Sequence, residues 1–168
     1  AGGVLGKDVN TAIADSSDAD HADQNTSGVQ SLLAKKPGVI IGSPSSSVTK
    51  NIYKQASGSK VPVISVGATS PSLSGIDEYF FRTIAPDGVQ GAVMGNVIEQ
   101  DGVQNLAIAV FNDEYGTGLR KVIVNTLADS NVNIVYGKTE TFDPTETNFS
   151  SLVTTLKASH PDAILVIA

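Results

Sequence analysis

Short apolar runs alternate with amphipathic stretches along the whole chain, and this rhythm is what most narrows the fold. Residues 39–41, 61–66, 105–111 and 163–167 are apolar runs too short for helices. Between them the apolar residues recur at helical spacing. Val48, Ile52 and Ala56 share one face, as do Leu119, Val122, Ile123 and Leu127, and Phe149, Leu152, Val153 and Leu156. Strands covered on both faces by crossover helices lose the alternation of half-exposed strands, so the pattern predicts parallel sheets inside an α/β fold.

Element by element, the spacing predicts a strand over residues 7–15 and a helix over 20–35 that Pro37-Gly38 stops. A strand at 39–41 leads to a helix capped by Ser47 or a neighbour and running to about Ser57. Residues 61–66 form the next strand, 67–76 a loop, and 80–84 an extended segment. Pro86-Asp87 opens a helix through Gln100. The second half repeats the rhythm: strand 105–111, helix 115–130, strand 132–142, helix 148–159, strand 163–167. The stretches SLLAKKPGVIIG (31–42) and LKASHPDAILVI (156–167) echo each other. They read either as one common helix-to-strand loop used twice or as two lobes of like topology, with the change-over near Thr83 to Gly88.

Charge and composition exclude several classes. Eleven basic against 17 acidic residues, a net charge of −6, leave no basic face for nucleic acid. No apolar run approaches the roughly 18 residues of a membrane span. With no Cys, and with His21 and His160 far apart, neither a metal site nor a thiol nucleophile is expected, and no cofactor. A chain of 168 residues holds one ordinary domain or two small lobes and can bury a core without disulfides. It begins at Ala1 with no basic-then-apolar leader, which reads as a mature form or a fragment.

Enzyme motifs are weak. GSPSSSVT (42–49) lies where a phosphate loop would lie but lacks the second Gly and the Lys. Gly116-Thr117-Gly118 lacks the third Gly of a dinucleotide loop, and no G-x-S-x-G elbow exists. Asp143 and Glu146 read as a solvated turn rather than an acid–base pair. Three loops after strand ends are better candidates, because ligands of open α/β sheets bind there. Ser45, Ser46 and Ser47 sit at a helix N-terminus, where free N–H groups and hydroxyls suit a carboxylate; a plain N-cap with spare serines explains them equally well. VGATSPSL (66–73) offers Gly67 for close approach, the Thr69 hydroxyl, and carbonyls that would accept from an ammonium. Donors for a carboxylate beside acceptors for an amine fit an α-amino acid. In FNDEYGTG (111–118), Tyr115 either lies over an apolar ligand body or packs at a helix start.

In this order, AGGVLGK, GVIIGSPSSSVT, VPVISVGATSPSL, YFFRTIAPDGVQG, FNDEYGTGLR, TFDPTETNFSSLV and PDAILVI resemble the type I periplasmic-binding fold, and within it the branched-chain amino acid-binding proteins of ABC importers. The resemblance runs almost end to end. It implies two doubly wound parallel-sheet lobes, with lobe 1 at residues 1–85 and the start of lobe 2 at 86–168. It implies that Ser46, with Ser45 beside it, binds a ligand carboxylate. It places Gly67 (by its carbonyl), Ala68 and Thr69 (by hydroxyl and amide) at the carboxylate and ammonium, Asp87 at the crossover between lobes, and Tyr115 at the cleft. The family's first strand and helix have no counterpart here, nor does the rest of lobe 2. In a 2-1-3 strand order the absent strand is central, so segments 8–15 and 39–41 are expected to lack their shared neighbour. The resemblance thus implies an internal piece of a longer binding protein. That protein would capture a branched-chain or similar amino acid outside the cytoplasmic membrane, removed from its signal peptide and lipid-anchored where the organism lacks a periplasm, and deliver it to an ABC permease. The alternative is a ligand-sensing domain of a receptor or regulator. Neither is an enzyme, and neither needs a cofactor.

Overall fold

Backbone hydrogen-bonding decides which apolar runs become strands. The computed structural model describes residues 3–168. In chain order it contains α1 (Ala22–Leu33), β1 (Ile40–Ile41), α2 (Ser46–Gly58), β2 (Val63–Ser65), a 3-10 turn (Pro71–Leu73), β3 (Phe80–Arg82) and α3 (Asp87–Gln100). There follow β4 (Asn105–Val110), α4 (Glu114–Thr126), β5 (Asn133–Tyr136), α5 (Ser150–Ala158) and β6 (Ala163–Ile167). Two three-stranded parallel sheets result, in the orders β1-β2-β3 and β5-β4-β6. Each sheet with its helices is one lobe of the doubly wound α/β fold.

The second lobe shows why β4 has no polar alternation. Leu106, Ile108 and Val110 face Leu119, Ile123 and Leu127 of the α4 layer. Ala107 and Ala109, on the other face, meet Leu156 of α5. Both faces are therefore dry, as the continuous apolar run requires. β4 is also the shared neighbour of β5 and β6, giving this lobe the 2-1-3 order. Above it, α3 lies tight on α4 because Gly91 and Gly95 remove the Cβ atoms from the contact. A Cβ at those positions would stand 2.6 Å from Val122 Cγ1 and 2.7 Å from Thr126 Cγ2. The first lobe gathers Val29, Ile40, Val48, Ile52, Ala56 and Val63 into its own core.

The expected strand over 7–15 does not form. That segment has no ladder partner beyond a local bridge between Val4 and Lys7. The other side of the lobe gives the reason. β1 pairs with β2 alone, and a groove of about 740 Å³ lined by Val9, Ile13, Leu32 and Ile41 separates the two segments. Strand hydrogen bonds reach only one strand spacing, about 4.8 Å, so neither segment can serve the other. Ile13 is left 92% and Ile41 71% exposed.

Other boundaries move for local reasons. Ser45, not Ser47, caps α2, its Oγ accepting from Val48 N at 3.3 Å. The strand expected over 132–142 is β5 alone, ending at Tyr136, just before Gly137, whose φ of +82° breaks the extended run. The chain rejoins the sheet only as a single Phe111–Phe142 bridge, with the two rings 4.8 Å apart. α4 takes in Glu114 and ends at Thr126, and α5 starts at Ser150 rather than Asn148. Asp143 is a turn residue, its Oδ1 accepting from Thr145 N and Oγ1.

Gly137 tests this packing directly. A Cβ there would fall 1.7 Å from the Ile108 carbonyl oxygen, on backbone that cannot yield, and at a positive φ. Gly137→Ala is expected to cost about 2 kcal/mol or more, read as a lower urea midpoint at unchanged slope.

Candidate functional site

The two loops that leave β1 and β2 are sewn together by hydroxyls. The Ser43 carbonyl accepts from Ser65 Oγ at 2.6 Å and from Thr49 Oγ1 at 3.1 Å. Ser65 Oγ in turn accepts from Ala68 N at 3.0 Å. Ser46 Oγ accepts from Ser70 N at 3.1 Å. Gly67 makes this approach possible, since a Cβ there would stand 3.0 Å from both Cα and Cβ of Pro44. From β3, the Arg82 guanidinium donates to the carbonyls of Ala68 (3.2 Å) and Ser70 (2.9 Å) and to the Ser74 hydroxyl, bracing the second loop from behind.

Each of the three serines of the first loop serves as an acceptor. Ser45 Oγ takes Val48 N, Ser46 Oγ takes Ser70 N, and Ser47 Oγ takes Glu114 N at 3.0 Å. A serine oxygen that accepts a backbone N–H keeps its own O–H to donate, so an anion at the start of α2 can still be served by hydroxyls. Ser45 and Ser47 are half-buried and Ser46 is buried. Gly67 and Thr69 are half-buried and Ala68 is fully buried. The Ala68 carbonyl is used by Arg82 and the Thr69 carbonyl by Asp87 N, at 2.9 Å.

Of the expected site residues, Ser45, Ser46, Gly67, Ala68 and Thr69 thus lie on two adjoining loops of the first lobe, and Asp87 is tied to them by its backbone N–H. Tyr115 is on α4 in the second lobe, half-buried and packed partly against the Leu106–Ile108–Leu119 core.

Sequence reasoning did not single out the residues that bring the lobes together. Glu114, next to Tyr115, receives Lys50 Nζ on Oε2 at 2.7 Å and the hydroxyls of Ser70 (3.4 Å) and Ser72 on Oε1. Beside it lies an interlobe pocket of about 360 Å³ lined by Asp20, Ser47, Lys50, Asn112, Asp113 and Glu114 among others. An acidic residue in the first turn of a helix ordinarily answers the helix dipole, so nothing in FNDEYGTG marks Glu114 as a contact across lobes.

Asp87 is the strained group of the site. It is fully buried at the start of α3 and, among the described residues, neither carboxylate oxygen has a hydrogen-bond partner. Burial pushes its carboxyl above the usual range, while the nearby Thr69 hydroxyl and the Arg82 charge pull the other way. For an acid whose folded-state pKa is raised, the cost of the buried charge is fully present above that value and vanishes below the unfolded one. Asp87→Asn is therefore expected to raise stability at pH 7, by about 1 kcal/mol, and to lose that gain as the pH is lowered through the acid range. Urea melts at pH 7 and pH 3.5 check this; an equal effect at both would assign the change to packing.

The comparisons with known proteins agree with this architecture. The family model described as periplasmic binding protein matches residues 1–168. The branched-chain amino acid transporter substrate binding protein LivJ from Streptococcus pneumoniae, solved with isoleucine, superposes with a TM-score of 0.83 at 25% identity, covering 98% of this chain and 46% of that one. An ABC-transporter solute-binding protein of R. palustris, solved with 4-hydroxybenzoate, gives 0.81 at 20% identity, covering 88% and 40%. Among curated proteins, glutamate receptor 2.1 of Arabidopsis thaliana is 29% identical over 106 residues, 62% of this chain and 12% of the receptor. The chain spans less than half the length of each. With the family match running over every residue, the chain belongs to the periplasmic binding protein family.

Proposed function

We propose that the chain is part of an extracytoplasmic solute-binding protein that captures a branched-chain or similar amino acid and passes it to the permease of an ABC importer. The observation that carries this is the sewn pair of loops at the carboxyl ends of β1 and β2. It sets hydroxyls and a helix N-terminus for a carboxylate beside the Gly67 carbonyl for an ammonium, the carbonyls of Ala68, Thr69 and Ser70 being engaged by Arg82 and Asp87 N. The isoleucine-bound LivJ supports the amino-acid reading. In this reading Ser45 and Ser46 serve the carboxylate, and the Gly67 carbonyl and the Thr69 hydroxyl and amide serve both ends. Ala68 shapes the loop between them, Asp87 anchors it at the crossover, and Tyr115 approaches from lobe 2. The lobes divide at residues 85 and 86. Capture is by hinge closure about that crossover, and it works because the solute binds the closed arrangement better than the open one. No bond is made or broken, so no cofactor enters. The protein acts at the outer side of the membrane, peripheral to it, after removal of a signal peptide and with lipid attachment in an organism without a periplasm.

A second reading has a specific observation behind it. The match to glutamate receptor 2.1 fits a ligand-sensing domain that reports occupancy to a membrane receptor rather than handing solute on. The same cleft serves both, and the partner differs.

Isothermal titration of the full-length protein with isoleucine, glutamate and 4-hydroxybenzoate tests the site and its class. Ser46→Ala and Thr69→Ala are each expected to weaken amino-acid binding by roughly tenfold, about 1.4 kcal/mol; Thr69→Ala should leave the thermal melt unchanged, while Ser46→Ala should also lower it, because the buried Ser70 N–H loses its acceptor. Unchanged affinity in both variants would refute the site. Tight 4-hydroxybenzoate binding without isoleucine binding would move the ligand class.

A further inference from the structure

We propose that Glu114 is a latch: a second-lobe carboxylate held by a donor set on the first lobe, whose charge sets the open–closed balance of the cleft.

Every polar partner of Glu114 across the cleft comes from the other lobe. Its backbone N–H donates to Ser47 Oγ, its Oε2 accepts from Lys50 Nζ, and its Oε1 accepts from the Ser70 and Ser72 hydroxyls. Ser47 and Lys50 sit on α2, while Ser70 caps the 3-10 turn and Ser72 lies within it. Opening the lobes breaks all four contacts at once, because the two sides move as separate bodies about the crossover. The carboxylate is 22% exposed and Lys50 47%, so solvent screens the ion pair and the hydroxyl and amide bonds share the load of the contact. A second observation is independent of charge. Gly118, one turn on along α4, gives room to the same 3-10 turn; a Cβ there would lie 3.0 Å from Ser70 Oγ and 3.2 Å from Pro71 Cδ. The α4 surface is thus shaped, as well as charged, to seat on this part of lobe 1.

The ionised form is the one the closed state holds. Burial pushes the Glu114 carboxyl up, but the Lys50, Ser72 and Ser70 hydrogen bonds and the Lys50 charge more than reverse it, leaving it below the usual range. Asp20 and Asp113 face the same pocket, and Asp113 feels the negative charge of both Glu114 and Asp20, so Lys50 is the cation that makes the cluster tolerable. For a depressed carboxyl, the contribution to closure is present above the open-state pKa and is lost as the pH falls through the closed-state value. A solute that binds the closed state sees an affinity scaled by the closed fraction, so loosening the latch weakens binding without touching the solute. This link to capture rests on the function proposed above; the lobe contact does not.

These 168 residues contain no cysteine, so labels placed in them are unique once any cysteine elsewhere in the full-length protein is replaced by serine. Ser31→Cys on α1 and Lys157→Cys on α5, both exposed, take spin labels on opposite lobes, and pulsed electron resonance reads the distance without any solute. The unmodified latch is expected to give one short distance. E114Q should broaden it toward longer distances, E114K should lengthen it further, and K50E/E114K should restore it. Circular-dichroism melts verify that each variant is folded. Unchanged distances in E114Q and E114K overturn the latch, and so does a K50E/E114K pair that stays open, since that assigns the effect to damage rather than charge. In titrations with isoleucine, E114Q is expected to weaken binding three- to tenfold. If the unmodified protein takes no solute while the distances still follow the charge, the latch stands and the proposed function fails. If solute binds and the distances ignore the charge, the reverse holds.

Discussion

The carbonyl oxygen of Ser43 is the point from which the candidate site is built. It receives the hydroxyls of Ser65 and Thr49, one from the end of β2 and one from the first turns of α2. A buried carbonyl accepts two such bonds with its two lone pairs, and losing either leaves a buried donor unsatisfied. Both site loops take their positions from this node. It seats the start of α2, where Ser45 then caps the helix, and it fixes Ser65, whose oxygen receives Ala68 N. Arg82 closes the far side on the Ala68 and Ser70 carbonyls. The serines that read in sequence as spare hydroxyls are, in part, the frame of the site.

Set into that frame is a group the fold does not satisfy. Asp87 is buried with both oxygens unpartnered among the described residues, yet its backbone N–H is bonded to Thr69 and it begins the helix that carries the chain into the second lobe. Native folds tolerate such a cost where a site or a hinge benefits from it. Here the carboxylate lies beside the Thr69 loop of the candidate site and at the start of α3, where the proposed crossover between lobes begins. A plain packing position would have selected an apolar residue.

Much of the fold was legible because its signals are local or periodic. The β4 run, the α4 and α5 stripes and the Pro37-Gly38 stop all express burial or backbone geometry in adjacent residues, and β6 falls where its apolar run lies. The strand read over 7–15 failed for a nonlocal reason: Val9 and Ile13 carry strand character, but a strand exists only beside another, and the neighbouring position is an open groove. β5 ended early because Gly137 brings its backbone against Ile108, a contact between residues far apart in sequence. In the site, the two loops could be read from their place after strand ends. The partners of Glu114 could not, since Ser47, Lys50, Ser70 and Ser72 are 42 to 67 residues away along the chain.

The two lobes hold their loops by different means, and this bears on how a cleft between them works. In the second lobe β4 is a fully paired central strand, buried on both faces, and the loop after it inherits that rigidity. In the first lobe β1 is two residues long and paired on one side, so the sheet contributes little to the loop that follows. Hydroxyl-to-carbonyl bonds and a guanidinium supply what the ladder does not. Side-chain bonds of this kind fix a loop relative to its neighbour loop rather than to a distant strand, so the two site loops move as one piece. A rigid α4 terminus facing such a pre-joined pair needs only a change in the angle between lobes to make or break its contacts, which is the motion that the proposed capture by closure would use.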